Sequence, residues 1–143
     1  MKRDDVEILR GIQKNTKMAM KAIDALSDKV YDDDLAVTLS RQNLKYSEFY
    51  NKATNKMLDK NVESYRPNAL NDAMLVGSIK TNTLLNTSTS HLAEMVIQGS
   101  NRGILDMHKT INHNENANNT YVEFAKELMD FEEKNIEQLK KYL

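Results

Sequence analysis

Apolar residues recur at three- and four-residue intervals along almost the whole chain, and the two-residue alternation of a half-buried strand is missing. The pattern predicts an all-α protein. A first helix from about residue 4 to 29 carries Val6, Leu9, Ile12, Ala19, Met20, Ile23, Leu26 and Val30 on or near one face. YDDD at 31–34 makes a tight link, with an aspartate placed to cap the next helix. A second helix from about 34 to 60 buries Leu35, Leu39, Tyr46, Phe49, Ala53 and Met57, and SYRPN at 64–68 ends it. A shorter third helix, about 68 to 85, presents Leu70, Ala73, Met74 and Gly77. NTSTS at 86–90 offers capping hydroxyls to a fourth helix, about 90 to 112, whose core face is Leu92, Ala93, Val96, Ile97, Ile104, Met107 and Ile111. After the loop INHNENANN, Thr120 and Glu123 read as a capping box. The last helix, about 120 to 142, packs through Tyr121, Phe124, Ala125, Leu128, Ile136 and Leu139.

The link lengths add topology. A short link makes the first two helices antiparallel neighbours, while the roughly 30 residues between the second and fourth are enough to return along the molecule. Four long helices and one short crossover helix are expected, as two hairpins joined by one long connection.

Composition narrows the class. The 143 residues suit one domain, and a single proline with four glycines argues against turn-rich sandwiches and barrels. The formal charge of −1, with acids and bases interspersed, offers no phosphate footprint, so nucleic acid is not an expected partner. With no cysteine, disulfides, thiolate catalysis and cysteine zinc sites are excluded. MKRDDVEILRG lacks the apolar run of a signal peptide, and no stretch approaches the roughly 20 apolar residues of a membrane span. A soluble, cytoplasmic protein is expected.

The chemistry lies in what occupies the centre of each apolar face. Advancing 100° per residue puts Thr16 at the middle of the first helix, Tyr46 with Asn43 on the second, Ser100 on the fourth, and Glu132 with Asn135 on the last. Each lies near the midpoint of its helix, and midpoints meet at one level in an antiparallel bundle. Thr16, Asn43, Tyr46, Ser100, Glu132 and Asn135 are therefore expected to form one polar layer, in which the Tyr46 hydroxyl needs a partner. Read structurally, small residues such as Thr16 and Ser100 are buried hydroxyls that bond the preceding turn's carbonyl.

Through these helix lengths, the crossover and the placement of QKNTKMAM, GSNRG and FEEKNIEQL, the chain resembles the ferritin-like superfamily, near small bacterial bundles related to rubrerythrins. The resemblance covers nearly the whole chain and implies a ferritin-like four-helix bundle. Active di-iron members carry one Glu on each of two helices and Glu-x-x-His on each of the other two. Here threonine and serine stand at the single-Glu positions, Asn43-x-x-Tyr46 at one pair and Glu132-x-x-Asn135 at the other. One carboxylate cannot hold two hard cations, so no metal or other cofactor is expected and no catalytic residue is assigned.

Other chemistry finds little support. His91 and Glu94 are an i, i+3 pair off the apolar face, His108 is on a flank and His113 is in a polar loop. There is no glycine-rich phosphate loop and no nucleophile elbow. The favoured reading is a non-enzymatic structural or interaction module with a degenerate di-metal site. It is expected to form a homodimer, or to bind another protein, through faces that include Met95, Leu105 and Met129. The alternative is an iron- or manganese-binding oxidoreductase or metal-storage protein using Glu132. A third is a binder of small apolar ligands in the bundle interior.

Overall fold

A computed structural model describes residues 1–84 and 86–143. It is helical throughout, with no strand among the described residues: α1 (Arg3–Leu26), α2 (Asp33–Leu58), α3 (Ala69–Thr83), α4 (Thr89–Asn112) and α5 (Asn119–Leu139). Short 3-10 turns extend α1 through Ser27–Lys29 and α5 through Lys140–Tyr142. The observed limits lie within a few residues of those expected from periodicity; the expected end of the third helix at 85 lies outside the described residues.

Local chemistry sets the ends. Asp32 caps α2 by accepting the Leu35 N–H at 2.8 Å, and Ser88 caps α4 by accepting that of His91. At α5 the expected capping box is replaced by Asn118, which accepts the Thr120 N–H at 2.9 Å. Thr120 already lies inside the first turn, so it cannot cap. The stop of α2 comes earlier than SYRPN. Asn61 takes a left-handed φ of 55°, and the Val62 N–H returns to the Met57 carbonyl at 2.9 Å. That is a Schellman turn with asparagine in the position glycine usually holds.

The pairings give the helix directions. Gln13 meets Thr54 and Asp24 meets Asn43, so α1 and α2 run antiparallel. Asn15 meets Gly103 and Gly11 lies by Thr110, so α1 and α4 do too. Phe49 stacks on Phe124 while Thr38 reaches Tyr142, so α2 and α5 follow the same rule. Two neighbours antiparallel to α1 must be parallel to each other, and the chain must therefore travel back between α2 and α4. It does so beside α1: Arg10 holds the Glu63 carbonyl, Gln13 the Tyr65 N–H, Lys21 pairs with Asp72, and Tyr31 meets Thr87.

One apolar cluster joins the four long helices, with Ile8, Leu9, Ile12, Leu35, Met57, Leu128 and Leu139 fully buried. Two expectations are corrected. On α3 the buried side is Ile79 and Thr83, whereas Leu70 and Met74 are 68% and 64% exposed, and Ala73 and Gly77 face outward with them. Apolar residues surround this helix, so periodicity alone could not select its inner face. Met129, expected on the surface, is buried because it lies one turn beyond Ala125 on the core face of α5. No helix is long and apolar enough to cross a membrane among the described residues.

Candidate functional site

The buried face of α5 runs Phe124, Ala125, Leu128, Met129, Glu132, Asn135 and Leu139, so helical spacing carries a carboxylate into the centre of an apolar core. Glu132 is 1% exposed. Its Oε1 accepts from the Tyr46 hydroxyl at 3.3 Å, and its Oε2 accepts from Asn15 Nδ2 at 3.3 Å. The same Asn15 amide donates to the Gly103 carbonyl at 3.3 Å, and Asn135 Nδ2 lies 3.5 Å from the Tyr46 hydroxyl. The Tyr46 ring is held edge-on by Phe131 with centroids 4.9 Å apart.

Gly103 makes this arrangement possible. A Cβ there would stand 2.6 Å from both the Asn15 Oδ1 and the Glu132 Oε1. A side chain at this position would force the Asn15 amide and the Glu132 carboxylate to shift.

No ion pair reaches Glu132 among the described residues. Burial, which penalises the charged form, pushes its carboxyl up to about 8, and the hydrogen bonds from Asn15 and Tyr46 only partly offset it. At neutral pH the group is therefore mostly protonated. Burial, followed by the neighbouring Glu132, also raises the Tyr46 phenol well above its ordinary range. The layer is a set of neutral groups.

Of the six residues expected in the layer, Tyr46, Ser100, Glu132 and Asn135 are buried at this level, and Tyr46, Glu132 and Asn135 are linked as described. Thr16 is buried but turns its hydroxyl back to the Ile12 carbonyl at 2.8 Å and the Gln13 carbonyl at 3.1 Å. Asn43 does not belong to the layer: it is half-buried and donates to Asp24 at 3.0 Å. The buried line of α2 is Leu35, Leu39, Gln42, Tyr46, Phe49, Ala53 and Met57, which selects Gln42 over its neighbour. Relative to Tyr46, position 42 lies about 40° off and position 43 about 60° off on the other side. Both amide atoms of Gln42 are buried without a partner among the described residues.

Two further polar residues lie outside the expected set. Asn15 stands on the edge of its stripe, where it faces the adjacent α4 and α5. Gln13 is fully buried, donates to Thr54 Oγ1 at 2.9 Å and accepts the Tyr65 N–H at 2.9 Å, tying α1 to α2 and to the crossover. Its signal is its spacing: it lies one turn from Leu9 and among Ile12 and Thr16.

The ferritin-like di-metal site does not fit these residues. Glu132 is the only carboxylate in the layer, and no three His, Cys, Asp or Glu side chains gather to hold a metal ion among the described residues. The histidines are dispersed; His91 contacts the Asn82 carbonyl, His113 ends α4, and both His108 and His113 are exposed.

Beside the layer lies a cavity of about 470 Å³ between α1, α3 and α4, within the size range of small-molecule sites. Asn15, Tyr46, Ser100 and Gly103 line it, so the polar layer forms part of its wall. No protein-family model matches the chain, and no curated protein or solved structure matches it either.

Proposed function

We propose that the chain is a ferritin-like bundle that holds a neutral hydrogen-bonded layer where active relatives hold two metal ions, and that it works without catalysis as an interaction module. Antiparallel neighbours with one long crossover support the ferritin-like connectivity. The observation that carries the functional reading is the isolation of Glu132, a lone buried carboxylate bonded by Asn15 and Tyr46. A pair of hard cations needs several carboxylate oxygens between them, and this layer supplies at most one anion.

The same reading makes the protein a cytoplasmic homodimer. Absence of cysteine is consistent with a reducing compartment, and Leu44 and Leu105, 65% and 47% exposed, supply apolar contacts on outward helix faces. Met95 is half-buried against the core and contributes less. One preparation tests both parts: protein purified from cells supplied with iron and manganese, then analysed for metal content and sedimentation. A metal-free dimer is expected. Near-stoichiometric metal that disappears in Glu132→Gln would favour the metal oxidoreductase or storage alternative, and a monomer at high micromolar concentration would remove the dimer.

A further inference from the structure

The cavity is chemically polarised along its length. Because α1 and α4 run antiparallel, one end is walled by Ala22, Leu26, Leu75, Ile79, Met95 and Val96, with α3 across it. The other end holds Lys14, Arg102 and Lys109 with the amide of Asn15. Arg102 is engaged by Asp106 at 3.4 Å. Neither Lys14 nor Lys109 forms an ion pair or a hydrogen bond through its ammonium among the described residues, although the chain as a whole carries a formal charge of −1. Three cations and one anion at a single end make a local excess of positive charge beside an apolar trough.

We infer that this cavity binds a small amphipathic acid: an unbranched aliphatic carboxylate whose chain lies between α1 and α4 beside α3, with its carboxylate at the Lys14–Lys109 end. Size and charge complementarity favour this occupant. The apolar walls remove a hydrocarbon chain from water, and the lysines attract an anion while opposing an ammonium head of the same shape. Asn15 adds a polar group at the head end. Glu132 stands behind the wall formed by Asn15 and Gly103, and with its proton retained it does not repel an anion. A free carboxylic acid satisfies these features without a protein or membrane partner. The inference goes beyond the metal-free reading, which stands or falls on metal content and is untouched if no acid binds.

Gly99 supplies a blocking variant whose first side-chain carbon meets no clash. It lines the cavity, and a Cβ placed there meets no atom within 4 Å. Leucine at this position starts from an unobstructed Cβ and improves helix propensity. Calorimetric titration below the micellar concentration would compare decanoate, octanoate and decylamine on the natural protein, on Gly99→Leu and on the double variant Lys14→Glu/Lys109→Glu, with circular dichroism confirming that each remains helical. Decanoate should bind the natural protein roughly tenfold more tightly than octanoate, as burial of two further methylenes requires. It should bind the double variant at least about tenfold more weakly, and binding to Gly99→Leu should be lost. Decylamine should bind at least about tenfold more weakly than decanoate. Absence of decanoate binding to the natural protein, equal binding of decylamine, or unchanged binding to Gly99→Leu overturns the proposal.

Discussion

A protonated carboxyl group hydrogen-bonds much as an amide does, and this property lets Glu132 occupy an apolar core beside Asn15, Tyr46 and Asn135. Polar groups are tolerated at this depth because they have neutral partners. Among the described residues the exceptions are Gln42, with both of its amide atoms buried and unpartnered, and the Asn43 Oδ1 beside it. Leaving a buried donor and acceptor unmade is costly, so an apolar side chain of similar length should be preferred at position 42. Gln42→Met is expected to raise unfolding stability by about 1–3 kcal/mol, read from the midpoint of denaturant unfolding. A destabilised variant would mean that Gln42 has partners in solution. The residue that periodicity favoured, Asn43, is half-buried outside the layer and donates to Asp24. An apolar stripe specifies a face to within a fraction of a turn, and adjacent positions 100° apart straddle its centre too evenly for the pattern to choose.

At the scale of helices, α4 shows how one glycine differs from another. Gly103 gives way to the Glu132 carboxylate, whereas Gly99 has open space around it. Alanine improves helix propensity by about 1 kcal/mol at either position. At Gly103 that gain is opposed by a Cβ driven against the buried carboxylate and Asn15, an overpacking cost of about 1–3 kcal/mol. Gly99→Ala should therefore raise the melting temperature and Gly103→Ala should lower it, or at best leave it unchanged. Equal increases would show that the layer yields easily. Helix existence, order and length were legible from the sequence because long amphipathic segments repeat one pattern many times. The inner face of α3 was not, since Leu70 and Met74 compete with Leu75 and Ile79 and only its packing on α1 decides. Nor was the α2 stop: the positive φ of Asn61 depends on a local turn, while Pro67 is the louder signal.

The whole molecule combines a crossover that runs beside α1, a polar layer at mid-height and a cavity against that layer. The sequence placed Tyr46, Ser100, Glu132 and Asn135 at one level because they sit near helix midpoints, but it misplaced Asn43 and missed Asn15. It could not reveal the cavity, which arises from where α3 rests and which side chains are small, neither of which has a period. Glu132 joins these scales through its proton. Its carboxyl titrates near 8 in the folded chain and at an ordinary 4.5 when exposed, so between these values the folded state binds more protons than the unfolded state. The contribution is fully present below about pH 4.5 and is lost as pH rises through 8. Glu132→Gln preserves the shape and most of the hydrogen bonding without a titrating proton. The most direct measurement is the unfolding free energy of the natural protein minus that of Glu132→Gln, followed from pH 4 to pH 9. The difference should fall as pH rises, by on the order of 3–5 kcal/mol in total, and level off above pH 8. A difference that stays constant or increases with pH would mean that the folded protein does not hold the Glu132 carboxyl above its ordinary range, contradicting the neutral layer.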